Sequence, residues 1–594
     1  MTQAAPATSP DSAPNDSAPG LPQADRADLD AAIAELGIGL MAWSHLTLEQ
    51  RARLMERLKA SVSAVAAEWT AAAAATKGLE PTHPLHGEDW LAGPYGVVTA
   101  LDAYRSTLLK LAAGESPLTG VKTSAAPGER VRAHVFPLTP VDGLLLSGFT
   151  GEVWFEPGVS VEEARRAAGL AQLSPTTTGG IGLVLGAGNV SSIPVLDVLY
   201  ELLANNRVAL LKLNPTQDPL VPAFERALAP LIEPGFVRIV RGGAEVGEYL
   251  TGHPGIAHVH ITGAARTFEA IVWGSSADTE ETARRKRENS PKLQKPITAE
   301  LGGVSPIIVV PGAWTDADLR FQAEHVVTMR MHNSGHNCIA GQVVLVSADW
   351  PQRDAFLTEL RKAYEGSPQR LAWYPKSDEK LAAAASDYPD AIWCADGTRA
   401  LVEIGAADDA TALETTEYFA PVLGVVSLPG NGQEFLDAAV AHANDKLVGT
   451  LGANVLIDPA TEAALGGGFE RAIAAMRYGS IAINAWTGFG YLISNMTWGG
   501  FPGATLQDVD SGLGVVHNAL LLDRVERSVG RGPFRPFPRS ASALFGPGRF
   551  SVLPKPPWFT SSRTGSTVSE GFTRFQMRQD WLKFVGTLVQ AFRA

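Results

Sequence analysis

Between Ile181 and Gly263 the chain alternates short apolar runs with stretches of helical periodicity, and no other feature restricts its fold as much. Residues 181–185, 208–213, 237–240 and 258–263 read as strands. The segments 193–203, about 222–231 and about 244–250 between them read as helices. Strands alternating with helices in this way predict a parallel α/β sheet wound as for a nucleotide. The pattern resumes after Glu300, with strands at 307–310 and 343–346 around a helix near 317–331, which predicts a second α/β unit.

The flanking segments are read from composition and periodicity. Residues 1–24 are rich in Ala, Pro, Ser and Asp without periodic apolar positions, the pattern of a disordered tail. From Asp28 to about Thr76, Leu29, Ile33 and Leu36, then Leu54, Leu58, Val62 and Val65, recur at helical spacing and predict at least two amphipathic helices that pack on a sheet. Short β-prone runs broken by Pro and Gly between 131 and 155 predict a hairpin or sheet extension. The block 277–295, with Glu280, Glu281, Arg284, Arg285, Lys286, Arg287 and Glu288, is expected to be a solvated insertion. Beyond about 520, arginines and lysines dominate. Phe572, Phe575, Met577, Trp581, Phe584, Leu588 and Phe592 give the last stretch helical amphipathicity, suited to docking on its own domain or a neighbouring subunit, with membrane-surface attachment the lesser alternative.

Composition narrows the function. A net charge of −13 argues against generic nucleic-acid binding, and two cysteines in 594 residues exclude a disulfide framework. With no uninterrupted apolar span of membrane length and no leader-like N-terminus, a cytoplasmic enzyme is expected.

One of the two cysteines, Cys338, lies in His332-Asn333-Ser334-Gly335-His336-Asn337-Cys338-Ile339-Ala340-Gly341. The Gly, Asn and Ser around it suggest a turn that can aim backbone N–H groups at a developing oxyanion, and a thiol is nucleophilic near neutral pH. On this decapeptide alone, a buried structural cysteine is an equal alternative. Two further residues complete a chemical set. Glu300, in Thr298-Ala299-Glu300-Leu301-Gly302-Gly303, supplies a carboxylate able to activate water. Asn189, in Gly186-Ala187-Gly188-Asn189-Val190, supplies an amide donor. His332 and His336 flank the thiol, but no compact set has metal-ligand spacing, so no metal is expected.

These motifs, in this order, make the chain resemble the aldehyde dehydrogenase superfamily. Glu-Leu-Gly-Gly-Val-Ser-Pro at 300–306 resembles the general-base segment, and Asn333, Gly335 and Cys338 match the nucleophile segment. Thr262-Gly263, Glu417-Tyr418-Phe419-Ala420-Pro421-Val422 and Gly479-Ser480-Ile481-Ala482-Ile483-Asn484 extend the likeness over about residues 30–515. The resemblance implies a Rossmann-like cofactor domain plus an α/β catalytic domain, with a β-strand oligomerisation element. Residues 25–128 and 178–301 would bind NAD or NADP, 129–177 would bridge subunits, 302–485 would be catalytic, and 486–594 would add a bridging strand and the basic extension. It implies that Cys338 attacks an aldehyde, that Asn189 and the Cys338 backbone N–H hold the oxyanion, and that Glu300 activates the hydrolytic water. Lys212 would bind the adenosine ribose, and Glu417 and Phe419 the nicotinamide end. Gly243, Gly247 and Gly263 would border the cofactor. A homodimer or homotetramer is expected.

The departures from the family pattern keep alternatives open. Gly186-Ala187-Gly188-Asn189 resembles acyl-CoA reductases, so the thioester could pass to CoA instead of water. Pro215 replaces a ribose-binding Glu, which admits NADP, and Arg241 in the glycine turn is either a phosphate ligand or a surface residue. Trp486, Phe489 and Tyr491 stand where the family lines its substrate tunnel, which favours a hydrophobic aldehyde, although ordinary core packing explains them equally well. A catalytically silent scaffold is the remaining reading.

Overall fold

Two sheets organise the chain in the computed structural model, which describes residues 21–274, 279–405 and 408–593. The smaller runs in the order Gly512–Leu513, Ile297–Leu301, His258–Gly263, Ile181–Leu185, Val208–Lys212, Val237–Val240. All neighbours are parallel except the short Gly512–Leu513 strand. The first strand in the sequence, Ile181–Leu185, is therefore central, and the winding reverses between it and His258–Gly263. In open α/β sheets the carboxyl ends at such a reversal form a crevice, because the flanking connections leave in opposite directions.

The larger sheet has eleven strands, with Gly452–Leu456, Ser305–Val309, Gly341–Ser347 and Val422–Leu428 side by side and parallel at its centre. Thr123–Ala126, Arg130–Phe136 and Thr150–Phe155 join it as an antiparallel extension through Val525–Arg531. The predicted hairpin region thus extends a sheet, but it is interrupted by a helix, Pro140–Leu145, where a β-prone run was expected. Thr139 and Asp142 form a capping box there, with Pro140 in the first turn, and these local signals outweigh the apolar run Leu144-Leu145-Leu146.

The N-terminal helices are Gln23–Ser44 and Leu48–Thr76, and every apolar position singled out from their periodicity is buried. Helix Gln23–Ser44 begins inside the stretch expected to be a tail, and residues 1–20 of that stretch lie outside the described residues. The helix expected near 222–231 is two helices, Val221–Ala227 and Ala229–Ile232, with Leu228 between them at non-helical angles. In the charged block, residues 277 and 278 lie outside the described residues. Thr279–Glu288 is a helix with no buried residue, as a solvated face should be. The end of the block, from Lys292 to Lys295, instead forms a cavity wall.

The C-terminal extension packs on its own chain. Helix Gly565–Met577 buries Val568, Phe572 and Phe575, and Trp581–Ala591 folds back on it, with the tilted ring of Phe584 4.3 Å from that of Phe575. Among the described residues no helix is long and apolar enough to cross a membrane.

Candidate active site

The carboxyl ends of the smaller sheet face the amino ends of the central strands of the larger one, and a cavity of about 1240 Å³ lies between them. All nine residues nominated from the sequence border it: Asn189, Lys212, Gly243, Gly247, Gly263, Glu300, Cys338, Glu417 and Phe419. Each reaches it for a local reason. Lys212 ends the strand Val208–Lys212, Asn189 follows Ile181–Leu185, and Gly263 ends His258–Gly263. Glu300 lies near the end of Ile297–Leu301, with Thr262 as its cross-strand partner. Cys338 and Glu417 precede Gly341–Ser347 and Val422–Leu428 on the opposite wall. Arg241, the alternative phosphate ligand, does not border the cavity.

The turn that carries Cys338 is tightly tied. Asn189 Nδ2 donates to the His336 carbonyl at 2.9 Å, while Asn333 Nδ2 donates to the Asn189 carbonyl and to His336 O, both at 3.0 Å. One N–H of the Asn189 amide is thus engaged, and the primary amide carries a second beside Cys338. Arg330 braces the turn from below, donating to the carbonyls of Ala340 and Ala420. His336 Nδ1 bonds Phe419 O at 2.7 Å, and burial pushes this imidazole down to about 3, so it stays neutral.

Electrostatics assign complementary states to the thiol and the carboxylate. Burial, reinforced by the nearby Glu300 charge, raises the Cys338 thiol well above its ordinary value. Burial also raises the Glu300 carboxyl, opposed by hydrogen bonds from Trp498 and Cys338. Trp498 Nε1 donates to Glu300 Oε1 at 3.0 Å. The thiol is therefore not a resting thiolate, and Glu300 is the carboxylate whose charge acts on it most strongly. Glu417 is half-buried in the cavity wall, and desolvation pushes it up to about 7.

The other end of the cavity fits a dinucleotide. Lys212 is half-buried, and desolvation lowers its ammonium. Glu417 Oε1 is buried without a hydrogen-bond partner, as expected of a carboxylate whose partner is a ligand hydroxyl. Gly247, in the helix Ala244–Gly252, borders the cavity with nothing within 4 Å of where a Cβ would stand. The protein itself does not require glycine there, whereas close approach of a ligand would. Gly302 is different, because a Cβ there would meet Glu417 Oε1 at 2.0 Å.

Trp486, Phe489 and Tyr491 do not border this cavity. Phe489 packs in the core against Phe136 and Phe149 at 5.8 and 5.0 Å. Trp486 lies against His332 at 4.7 Å, and Tyr491 meets Trp498 edge to face at 5.4 Å. Sequence reasoning missed Trp498 as the partner of Glu300. Its only local signal is a Trp before Gly499-Gly500, which does not reveal a contact 198 residues away.

Residues 191–371, the stretch that carries Glu300 and Cys338, match the family model described as the aldehyde dehydrogenase family. That segment is similar to this family, and the solved structures that follow share the fold over most of the chain. The solved NAD-dependent aldehyde dehydrogenase from Sinorhizobium meliloti is similar over 85% of this chain and 86% of its own, at 20% identity and TM-score 0.57. An aldehyde dehydrogenase from Mycobacterium tuberculosis, complexed with NAD+, matches over 85% and 89% at 18% identity and TM-score 0.55. An NADP-dependent glyceraldehyde-3-phosphate dehydrogenase from Bacillus halodurans C-125, complexed with NADP, matches over 85% and 91% at 17% identity and TM-score 0.55.

Proposed function

We propose that the protein is an NAD(P)-dependent aldehyde dehydrogenase that oxidises a hydrophobic aldehyde to a carboxylic acid. The observation that carries this reading is that Cys338, Glu300 and Asn189 border one cavity together with Lys212 and the open face of Gly247. Lys212, Gly243, Gly247 and Gly263 would hold the dinucleotide, with Glu417 and Phe419 at its reactive end. When bound, its nicotinamide supplies the hydride acceptor.

Glu300 takes the proton of the Cys338 thiol as sulfur bonds to the carbonyl carbon, giving a thiohemiacetal. The Asn189 amide and the Cys338 backbone N–H stabilise its oxyanion. The thiol proton passes from Glu300 to solvent, and once the thioester has formed the restored carboxylate takes a proton from the attacking water and returns it to Cys338 as the thiolate leaves. Trp498, which donates to Glu300, and Tyr491 packed edge-on against it place aromatic surface behind the base, outside the cavity lining, and this neighbourhood supports an apolar substrate. Two nicotinamide-bound relatives, one with NAD+ and one with NADP, support the cofactor class.

Aliphatic and aromatic aldehydes are assayed with NAD and NADP, with and without CoA, and the product is identified. Carboxylic acid formed without CoA is expected. Acyl-CoA as the product, with no acid, would replace hydrolysis by thiol transfer. No reduced cofactor from any aldehyde would leave the scaffold reading.

A further inference from the structure

The turn that presents Cys338 has an unusual backbone. Asn333, Ser334 and Gly335 are three successive residues in the left-handed region, with φ of 55°, 57° and 76°. Asparagine tolerates this conformation, but serine gains nothing from it, and such residues persist only where their surroundings hold them.

The holding contacts come from two distant segments. The Asn333 backbone N–H donates to Glu88 Oε2 at 3.2 Å, and Arg370 Nη1 donates to the same oxygen at 2.6 Å. Trp373 Nε1 donates to Asn333 Oδ1 at 3.1 Å, and Ser334 Oγ donates to the Leu371 carbonyl at 2.6 Å. Asn333 is also the residue whose side chain bonds Asn189 O and His336 O, so its position sets the amide and the turn together.

The Glu88–Arg370 pair is buried, with side-chain exposures of 6% and 1%. A second buried pair, Lys77–Asp89, closes at 2.6 Å. Glu88 Oε1 and Arg370 Nε and Nη2 have no hydrogen-bond partner. Ion pairs desolvated and incompletely bonded in this way are poor devices for stability, since an apolar pair of similar volume often does as well. Against the opposing effect of burial, Arg370 holds the Glu88 carboxyl below the ordinary carboxylate range, so it meets the Asn333 N–H as an anion.

The seat of Glu88 is made by the C-terminal extension. Glu88 opens the short helix Glu88–Trp90, and a Cβ on the preceding Gly87 would meet Ser566 Cα at 2.2 Å. Thr573 Oγ1 donates to the Trp90 carbonyl at 3.4 Å, and the Arg574 guanidinium lies 5.2 Å from the Trp90 ring centroid. The extension, otherwise remote from the chemistry, therefore lies two contacts from the nucleophile turn.

We propose that Glu88, paired with Arg370 and seated by the C-terminal extension, is a positioning residue: its carboxylate holds the left-handed Asn333 turn and so aims Cys338 at Glu300 and the Asn189 amide. This rests on the reading of Cys338 as the nucleophile. The test uses the full chain and the double variant Glu88→Leu/Arg370→Met, which removes both charges and so strands neither.

Four quantities are measured: alkylation of Cys338 and Cys394 by iodoacetamide, kcat, cofactor Kd and Tm. We expect Cys338 alkylation and kcat to fall about 10- to 100-fold, the cost of a displaced reacting group, with cofactor Kd within about twofold. Unchanged alkylation and kcat would overturn the proposal, whatever the Tm. If the double variant does not fold, Glu88→Gln serves instead. It keeps an acceptor without the charge and is expected to lose about threefold in alkylation, as a neutral bond replaces a charge-assisted one. No loss there overturns the proposal equally. A wild-type Cys338 that alkylates no faster than Cys394 would bring down the nucleophile reading and this one together. A fast wild type with an equally fast variant removes the positioning role alone.

Discussion

At the Lys212 end of the cavity, Gly247 faces open space and Lys212 is half-buried, whereas at the Cys338 end each group is bonded to another segment of the chain. Glu300 is held by Trp498, Asn189 by the nucleophile turn, and the turn by Glu88 and Arg330. The difference follows from the tasks. A dinucleotide brings many contacts of its own and can be bound by groups that settle on arrival. Attack on a carbonyl requires reacting atoms already in place, because reorganisation at the moment of reaction adds to the barrier. Substitutions at the first end should therefore change affinity, and those at the second should change rate.

The largest effect tests the fixed end. Cys338→Ala is expected to abolish aldehyde oxidation while leaving cofactor Kd within about twofold, since no cofactor contact is removed. A large change in Kd would mean that the two ends are not separable. Glu300→Gln is expected to slow the first burst of reduced cofactor in stopped flow as well as steady-state turnover, the latter by about 10²- to 10⁴-fold, because it removes the base for both proton transfers. Steady-state rates equal to wild type would remove its role as the base.

Glu417 lies between the two ends and sharpens the comparison. Its carboxyl, raised to about 7 by burial, is protonated below that pH and anionic above it, and the anion accepts hydroxyl hydrogen bonds more strongly. Cofactor affinity should therefore rise as pH increases through about 7, by up to about tenfold between about pH 6 and 8. Glu417→Gln should flatten the profile. A titration that falls over this range would reverse the assigned role.

The smallest effects belong to the open end. Lys212→Ala should weaken cofactor binding by about tenfold, with kcat at saturation little changed. Gly247→Ala should raise Tm slightly, because alanine is the better helix former by about 1 kcal/mol and its methyl meets nothing in the free protein. The same methyl should weaken cofactor binding, measured by calorimetry. Unaltered binding would show that the cofactor does not approach this glycine.

Much of the scaffold was legible in the chain because its signals are local. The alternation from 181 to 263 marked the parallel strands, and the spacing of Leu29, Ile33 and Leu36 marked a helix, since periodicity records which face is buried. Local reading failed where two local signals competed. At 140–145 a capping box overruled an apolar run, and at Leu228 the backbone breaks a helix that periodicity continues. The nominated residues were legible through motif order, and they converge on one cavity. Phe489 did not follow its motif position, because the sheet packs it against Phe136 and Phe149.

The sequence by itself determined which residues carry reactive groups and which segments are strands and helices, because side-chain chemistry and periodicity are properties of short stretches. Only the tertiary structure decided who holds those groups. Trp498 meets Glu300 across 198 residues, Glu88 meets Asn333 across 245, and Arg370 meets Glu88 across 282. Such partners are set by the order of strands in two sheets and by the docking of the extension, and no local pattern encodes that order. The same long-range packing desolvates Cys338, Glu300 and Glu417. It thereby decides that Cys338 rests as a thiol and raises the Glu300 and Glu417 carboxyls.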